Sequence, residues 1–143
     1  MTDPFNLARF VAAQAGPFDT VCAELAAGRK RTHWMWYVFP QLAGLGRSEK
    51  ARFHGLSGEA EAAAYEAHPV LGPRLRQCVA LVLRHEGVPP EEIMGSVDAL
   101  KLRSCATLFE RVAAVPAPFG DLLAVFYGGA RCDGTLALLG EAA

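Results

Sequence analysis

Residues 29–41 read RKRTHWMWYVFPQ: Arg29, Lys30, Arg31, Thr32, His33, Trp34, Met35, Trp36, Tyr37, Val38, Phe39, Pro40 and Gln41. Three cations run straight into five rings, counting the His33 imidazole, and both tryptophans of the chain fall here. An apolar run this short fits a buried strand as well as a buried helical segment, because periodicity does not separate the two over so few residues. The fold class turns on that choice. Read as helix, the stretch completes an all-α chain; read as extended near 33–39, it is one short non-helical segment in an otherwise helical body. Phe39-Pro40 ends it in both cases, since the residue before a proline is pushed out of helical backbone.

Outward from this window the chain is punctuated into helices. On the N-terminal side, Asp3-Pro4 reads as a cap and first-turn proline, and Leu7, Phe10, Val11 and Gln14 follow at helical spacing until Gly16-Pro17. Phe18, Val21, Cys22 and Leu25 form a second stripe, with Gly28 placed to close it. On the C-terminal side, Leu42 to Ser48, LAGLGRS, reads as a glycine loop, and the segment with Lys50, Arg52 and Phe53 after it is open to a helical reading. Ser57 caps an alanine-rich helix to about Ala67, and Leu71, Leu75, Cys78, Val79 and Val82 make the next stripe. Pro89 to Gly95 reads as one helical turn. Ser96 opens a helix with the stripe Val97, Leu100, Cys105, Leu108, Phe109 and Val112; Phe119, Leu122, Leu123 and Phe126 follow, and Asp133 caps a last short helix through Leu136 and Leu139. The expectation is an all-α, compact multihelical single domain of seven or eight short helices spanning 1–143.

Composition narrows the function classes. At 52% hydrophobic and 20% charged residues, the chain is far from the balance of disordered segments. It has no apolar run long enough for a membrane span and no signal-peptide pattern at Met1-Thr2-Asp3-Pro4, which predicts a cytoplasmic protein without a membrane partner. Cys22, Cys78, Cys105 and Cys132 are widely spaced, and His33, His54, His68 and His85 show no ligand spacing, so no metal and no cofactor is expected; the cysteines read as reduced thiols without a local activator. The formal charge of −1 hides one basic island. Arg29, Lys30, Arg31, Arg47, Lys50 and Arg52 face the single acid Glu49, a net +5 in an otherwise acidic chain. That distribution speaks against a general nucleic-acid binder and for a local anion site.

Candidate ligand-binding residues follow from it. Gly44, Gly46, Arg47 and Ser48 lie in the loop, where converging N–H groups, a guanidinium and a hydroxyl suit a phosphate or carboxylate, although the pattern is neither a Walker A motif nor G-x-G-x-x-G. Arg29 and Arg31 add charge, while His33, Trp34, Trp36 and Tyr37 offer rings that stack on a ligand ring. Lys101 and Arg103, on the helix after Ser96, are placed to neutralise an anion. For acid–base work the candidates are His33, Asp98 and Lys101, with the Glu24 and Asp133 carboxylates flanking the interesting segments. The partner these residues suit is a small anionic metabolite with a ring. The competing reading uses the same patch as a non-enzymatic protein- or RNA-interaction module.

Several blocks carry a resemblance: DPFNLARFVAAQ (3–14), GRKRTHWMWYVFPQLAGLGRS (28–48), HPVLGPRLRQC (68–78), IMGSVDALKLRSCATLF (93–109) and FYGGARCDGTLALL (126–139). Together they resemble the bacterial and fungal family called domain of unknown function 1810, which implies a compact, mainly helical protein of unestablished role. The calpastatin label sometimes attached to that family does not fit a hydrophobic, helix-patterned chain, because calpastatin segments are disordered until bound. The chain is also similar, more remotely, to the NADAR superfamily, through its Trp/Pro block after basic residues and its later Lys-bearing helix. That similarity implies ADP-ribose-type chemistry and hydrolysis of a nucleotide N-glycosidic bond. The expected glutamate of a W-P-x-x-E pattern is absent between Trp36 and Gln41.

Overall fold

The computed structural model of the chain describes residues 2–140. The helices among them are α1 (Ala8–Ala15), α2 (Phe18–Ala27), α3 (Met35–Val38), α4 (Glu49–Phe53), α5 (Glu59–Ala67), α6 (Leu71–Leu83), α7 (Pro90–Met94), α8 (Ser96–Val112), α9 (Ala117–Tyr127) and α10 (Asp133–Leu138). A 3-10 turn at Ala43–Leu45 lies between α3 and α4. The class is all-α, with no strand among the described residues, but the expected seven or eight helices become ten. The surplus comes from one-turn helices such as α3, which is too short to show a period. The window 33–39 is helical at Met35–Val38, so the extended alternative is overturned.

Helix starts shift by a few residues for identifiable reasons. The Asp3 carboxylate accepts hydrogen bonds from the Leu7 and Ala8 N–H groups at 2.7 and 2.9 Å, so it caps α1 from outside the helix rather than at its edge. Those two bonds hold the Asp3 carboxyl below its usual range. Ser57 is not the cap of α5; Gly58 is, and the Ser57 N–H donates instead to Glu61 at 2.8 Å, a side chain reaching back over the first turn. Gly95, at φ +86°, precedes α8 in place of the expected Ser96.

One continuous core holds the helices together. Helix α8 is its axis, packing against α5, α7, α9 and α10, while α6 bridges α2, α5 and α9. The α6 stripe Leu71, Leu75, Cys78, Val79 and Val82 is buried as the spacing predicts. On α8, however, Val97 and Leu100 are 64% and 58% exposed, and the buried face runs through Ala99, Leu102, Cys105, Ala106 and Phe109. The difference lies along the helix rather than around it: at about 100° per residue Val97 points between the directions of buried Leu108 and Ser104 and Leu100 between those of buried Ser104 and Thr107, but at the N-terminal turns no neighbour among the described residues covers that face.

The loop after Pro40 is anchored by a single parallel bridge, Leu42 to Leu56. Ala43 N–H donates to Leu56 O at 2.8 Å, and Leu56 N–H donates to Gln41 O at 2.9 Å. Arg9 ties this crossing to α1 and α5, donating to Phe53 O at 2.7 Å, to Gly55 O at 3.0 Å and to Glu61 at 2.9 Å. The bridge and the Arg9 bonds thereby fix the loop and the end of α4 against α1 and α5.

Candidate functional site

The basic window is built on Glu24. Helix α2 ends at Gly28, left-handed at φ 72°, where the Gly28 and Arg29 N–H groups satisfy the last carbonyls of the helix. The chain then folds back over the Glu24 carboxylate, which accepts from Arg31 N–H (2.8 Å), Thr32 N–H (3.1 Å), Thr32 Oγ1 (2.7 Å) and Trp34 Nε1 (2.9 Å). Burial alone would push this carboxyl up, but the four donors outweigh it and hold Glu24 at about 2. The indole of Trp34 is accordingly core: 1% exposed, its N–H spent on Glu24 and one face covered by Lys30 Nζ at 4.8 Å.

A prediction follows from that carboxylate. Its folded value lies below its ordinary 4.5, so its stabilisation is complete above about pH 4.5 and is lost as pH falls through about 2. Screening at the protein surface reduces the contribution to about 1–2 kcal/mol. Thermal melts between these pH values should show Glu24→Gln losing less stability on acidification than the parent does.

Lys30 points inward, with its side chain 5% exposed. Its ammonium donates to Thr32 O at 2.5 Å and pairs with Asp98 Oδ2 at 2.9 Å. Asp98 Oδ1 lies 3.6 Å from Lys101 Nζ, one turn further along α8. One carboxylate thus joins the window to α8, and the lysine on its far side reaches Trp36.

Trp36 is the indole of the two that the fold leaves at the surface. It is half-buried on α3, with Lys101 Nζ 5.2 Å and Lys50 Nζ 6.0 Å from its ring centre. Both lie within reach of the indole's quadrupole. Lys50 stands on α4, which starts where Ser48 Oγ accepts the Ala51 N–H at 3.1 Å. The glycines before it keep φ out of the left-handed region; they are small because neighbours are close. A Cβ at Gly44 would stand 3.0 Å from the Leu138 side chain, and one at Gly46 would stand 2.8 Å from Ala51 Cβ. Close packing accounts for the small residue at both positions.

The remaining candidates disperse. Tyr37 is half-buried, its ring edge-on to His54 at 5.6 Å and its carbonyl accepting from Gln14 at 2.6 Å; burial pushes its hydroxyl above the usual phenol range. His33 and Arg47 are exposed. Arg29 and Arg31 line one hollow of about 480 Å³ with Thr20, Ala23 and Ala27, away from Trp36. Arg103 sits 5.9 Å from the Tyr127 ring, and its Nε is buried without a hydrogen-bond partner among the described residues. A hollow of about 740 Å³ lined by Phe5, Leu7, Ala8, Val11, Ala12 and Ala64 holds none of the candidates. Of the residues singled out from sequence, the fold therefore joins Trp36, Asp98 and Lys101. It adds Lys30 and Lys50, whose membership of the basic island was visible but whose direction was not.

Among the described residues no helix is long and apolar enough to cross a membrane, and no cluster of three or more His, Cys, Asp or Glu side chains is placed to hold a metal. No curated protein matches the chain. It is similar to the crystal structure of the conserved hypothetical protein Rv1873 from Mycobacterium tuberculosis, at 51% identity over 98% of this chain and 100% of that one, with a TM-score of 0.95. The family described as "Protein of unknown function (DUF1810)" matches residues 4–139, all the helices included, and to that family the chain belongs.

Proposed function

We propose that the Trp36 face binds a small anionic metabolite bearing a ring, of the phosphorylated nucleotide or ADP-ribose type. The observation that carries this reading is the half-buried indole with two ammonium groups, Lys101 and Lys50, 5.2 and 6.0 Å from its centre. A planar ring stacking on such an indole contributes about 1–3 kcal/mol, and a phosphate meeting a lysine gains a charge-assisted hydrogen bond. Lys101 is suited to the second task because its contact with Asp98, at 3.6 Å, is too long for a hydrogen bond.

The reading stops at binding rather than bond cleavage. Cleaving an N-glycosidic bond calls for a carboxylate or imidazole free to exchange a proton with the substrate, yet the Asp98 carboxylate is held in an ion pair with Lys30 at 2.9 Å and His33 is an exposed loop residue. Calorimetric titration with ADP-ribose, AMP and adenosine tests the proposal. Binding of the first two should weaken about tenfold in Trp36→Ala and in Lys101→Gln, and adenosine should be insensitive to the lysine change. Equal affinity in parent and both variants would move the site elsewhere.

One observation favours the interaction-module reading. Val97 and Leu100 stand exposed on α8 beside Lys101, an apolar pair of the kind that docks a macromolecule. Replacing both with aspartate should leave nucleotide binding intact if the small-ligand reading holds.

A further inference from the structure

The apolar hollow of about 740 Å³ beside α1 has the size of a small-molecule site, and none of the residues gathered at Trp36 lines it. Its walls are the N-terminal segment 2–5, α1, and the end of α5 with the turn after it, where Phe5, Leu7, Val11 and Ala64 supply apolar surface. The wall formed by 2–5 is fixed before any ligand arrives. The Asp3 carboxylate takes the Leu7 and Ala8 N–H groups, Asn6 turns the chain at φ 53° with its own N–H on Asp3 O at 3.0 Å, and Arg9 Nη1 donates to Phe5 O at 2.6 Å. Access is from solvent, since Asp3, Pro4, Ala12 and Pro69 on the lining are exposed.

The polar residues on this lining are Thr2, Asp3 and His68. The tautomer of His68 is set by its neighbours. Its Nδ1 accepts the Val70 N–H at 3.0 Å and the Leu71 N–H at 3.2 Å, capping the start of α6, so the proton of the neutral ring sits on Nε2. Nε2 lies across the ring from that cap and points away from α6, no residue of which lines the hollow. It has no hydrogen-bond partner among the described residues. Asp3 is the counterpart: each of its oxygens takes one backbone N–H and keeps a second lone pair, and its negative charge borders the same space.

We propose that this hollow binds a compact, uncharged apolar molecule bearing one hydroxyl, of the phenol class, at a site separate from the Trp36 face. The hydroxyl oxygen accepts the His68 Nε2–H, and the hydroxyl proton meets an acceptor at Asp3. A carboxylate of the same size also accepts from His68, but it brings a second negative charge toward Asp3 and loses hydration among apolar side chains. An ammonium offers His68 no acceptor. Phe5 on the wall gives the ligand ring an aromatic neighbour.

Calorimetric titration of the intact protein with thymol and with para-isopropylbenzoate, an acid of similar size, tests the proposal. Thymol should bind, and the acid should bind about tenfold more weakly. Ala12→Trp, a change at an exposed position on the lining, should abolish thymol binding. His68→Asn, whose side-chain oxygen still caps α6, should weaken thymol about tenfold in a protein of nearly unchanged melting temperature. Asp3→Asn should narrow the preference for thymol over the acid, and Trp36→Ala should leave both affinities as they are. No heat with thymol up to millimolar concentration, equal affinities for the two probes, or thymol binding indifferent to Ala12→Trp or His68→Asn overturns the proposal, and so does a preference unmoved by Asp3→Asn. Loss of thymol binding in Trp36→Ala would place the ligand on the indole and overturn it as well.

Discussion

Trp34→Ala lowers the free energy of unfolding by about 4 kcal/mol, the range for removing a large aromatic from a packed core. The side chain is 1% exposed, packs 6.1 Å from Phe39 centre to centre, and gives its N–H to Glu24. Its removal leaves both a void and a carboxylate short of one donor. Urea denaturation at neutral pH measures the change. Trp36→Ala, two residues along, is expected to cost less than about 1 kcal/mol, because a half-buried ring leaves a dent that water fills rather than a sealed cavity. The pair of variants separates structural from ligand-facing aromatics within one window, and similar losses from both would contradict the assignment of the two rings.

Gly55→Ala carries the next largest effect, about 3 kcal/mol. A Cβ at this position would lie 2.4 Å from Ala43 Cα and 2.6 Å from Ala43 Cβ. The neighbour is backbone held by the Leu42–Leu56 bridge, so no side-chain rotation relieves the clash and the crossing itself has to open. Since α4 lies between the two bridged residues, ends just before Gly55 and carries Lys50, the variant should also displace one of the two ammonium groups at Trp36. Chemical denaturation gives the stability loss. A shift below about 0.5 kcal/mol would show that the loop yields freely.

The particular residues show why sequence reading reached as far as it did. Stripes on long helices are legible because one face must be apolar over several turns, and α6 shows every predicted position buried. The α8 stripe is legible only where α5, α9 and α10 cover it. At its N-terminal turns the periodic pattern includes Val97 and Leu100, which no neighbour buries. The basic window is legible as charge and aromatic content but not as direction. Whether Arg29, Lys30 or Arg31 turns inward depends on Glu24 before it and Asp98 far after it, and local periodicity contains neither. The glycine loop is legible as a place of small residues, but that Gly44 and Gly46 lie against Leu138 and Ala51 depends on tertiary neighbours that local pattern does not contain.

The most direct measurement of the central claim uses the two tryptophans themselves. Trp34 is sealed and Trp36 is half-open, so the emission of Trp36 should lie to the red and respond alone to a ligand stacking on its ring. Titrating ADP-ribose into the Trp34→Phe protein, in which Trp36 is the sole indole, is predicted to quench fluorescence saturably at micromolar to millimolar ligand, with the midpoint moving about tenfold higher when Lys101→Gln is added. Fluorescence unchanged up to millimolar ADP-ribose, or a midpoint indifferent to Lys101, would contradict a ligand seat at Trp36.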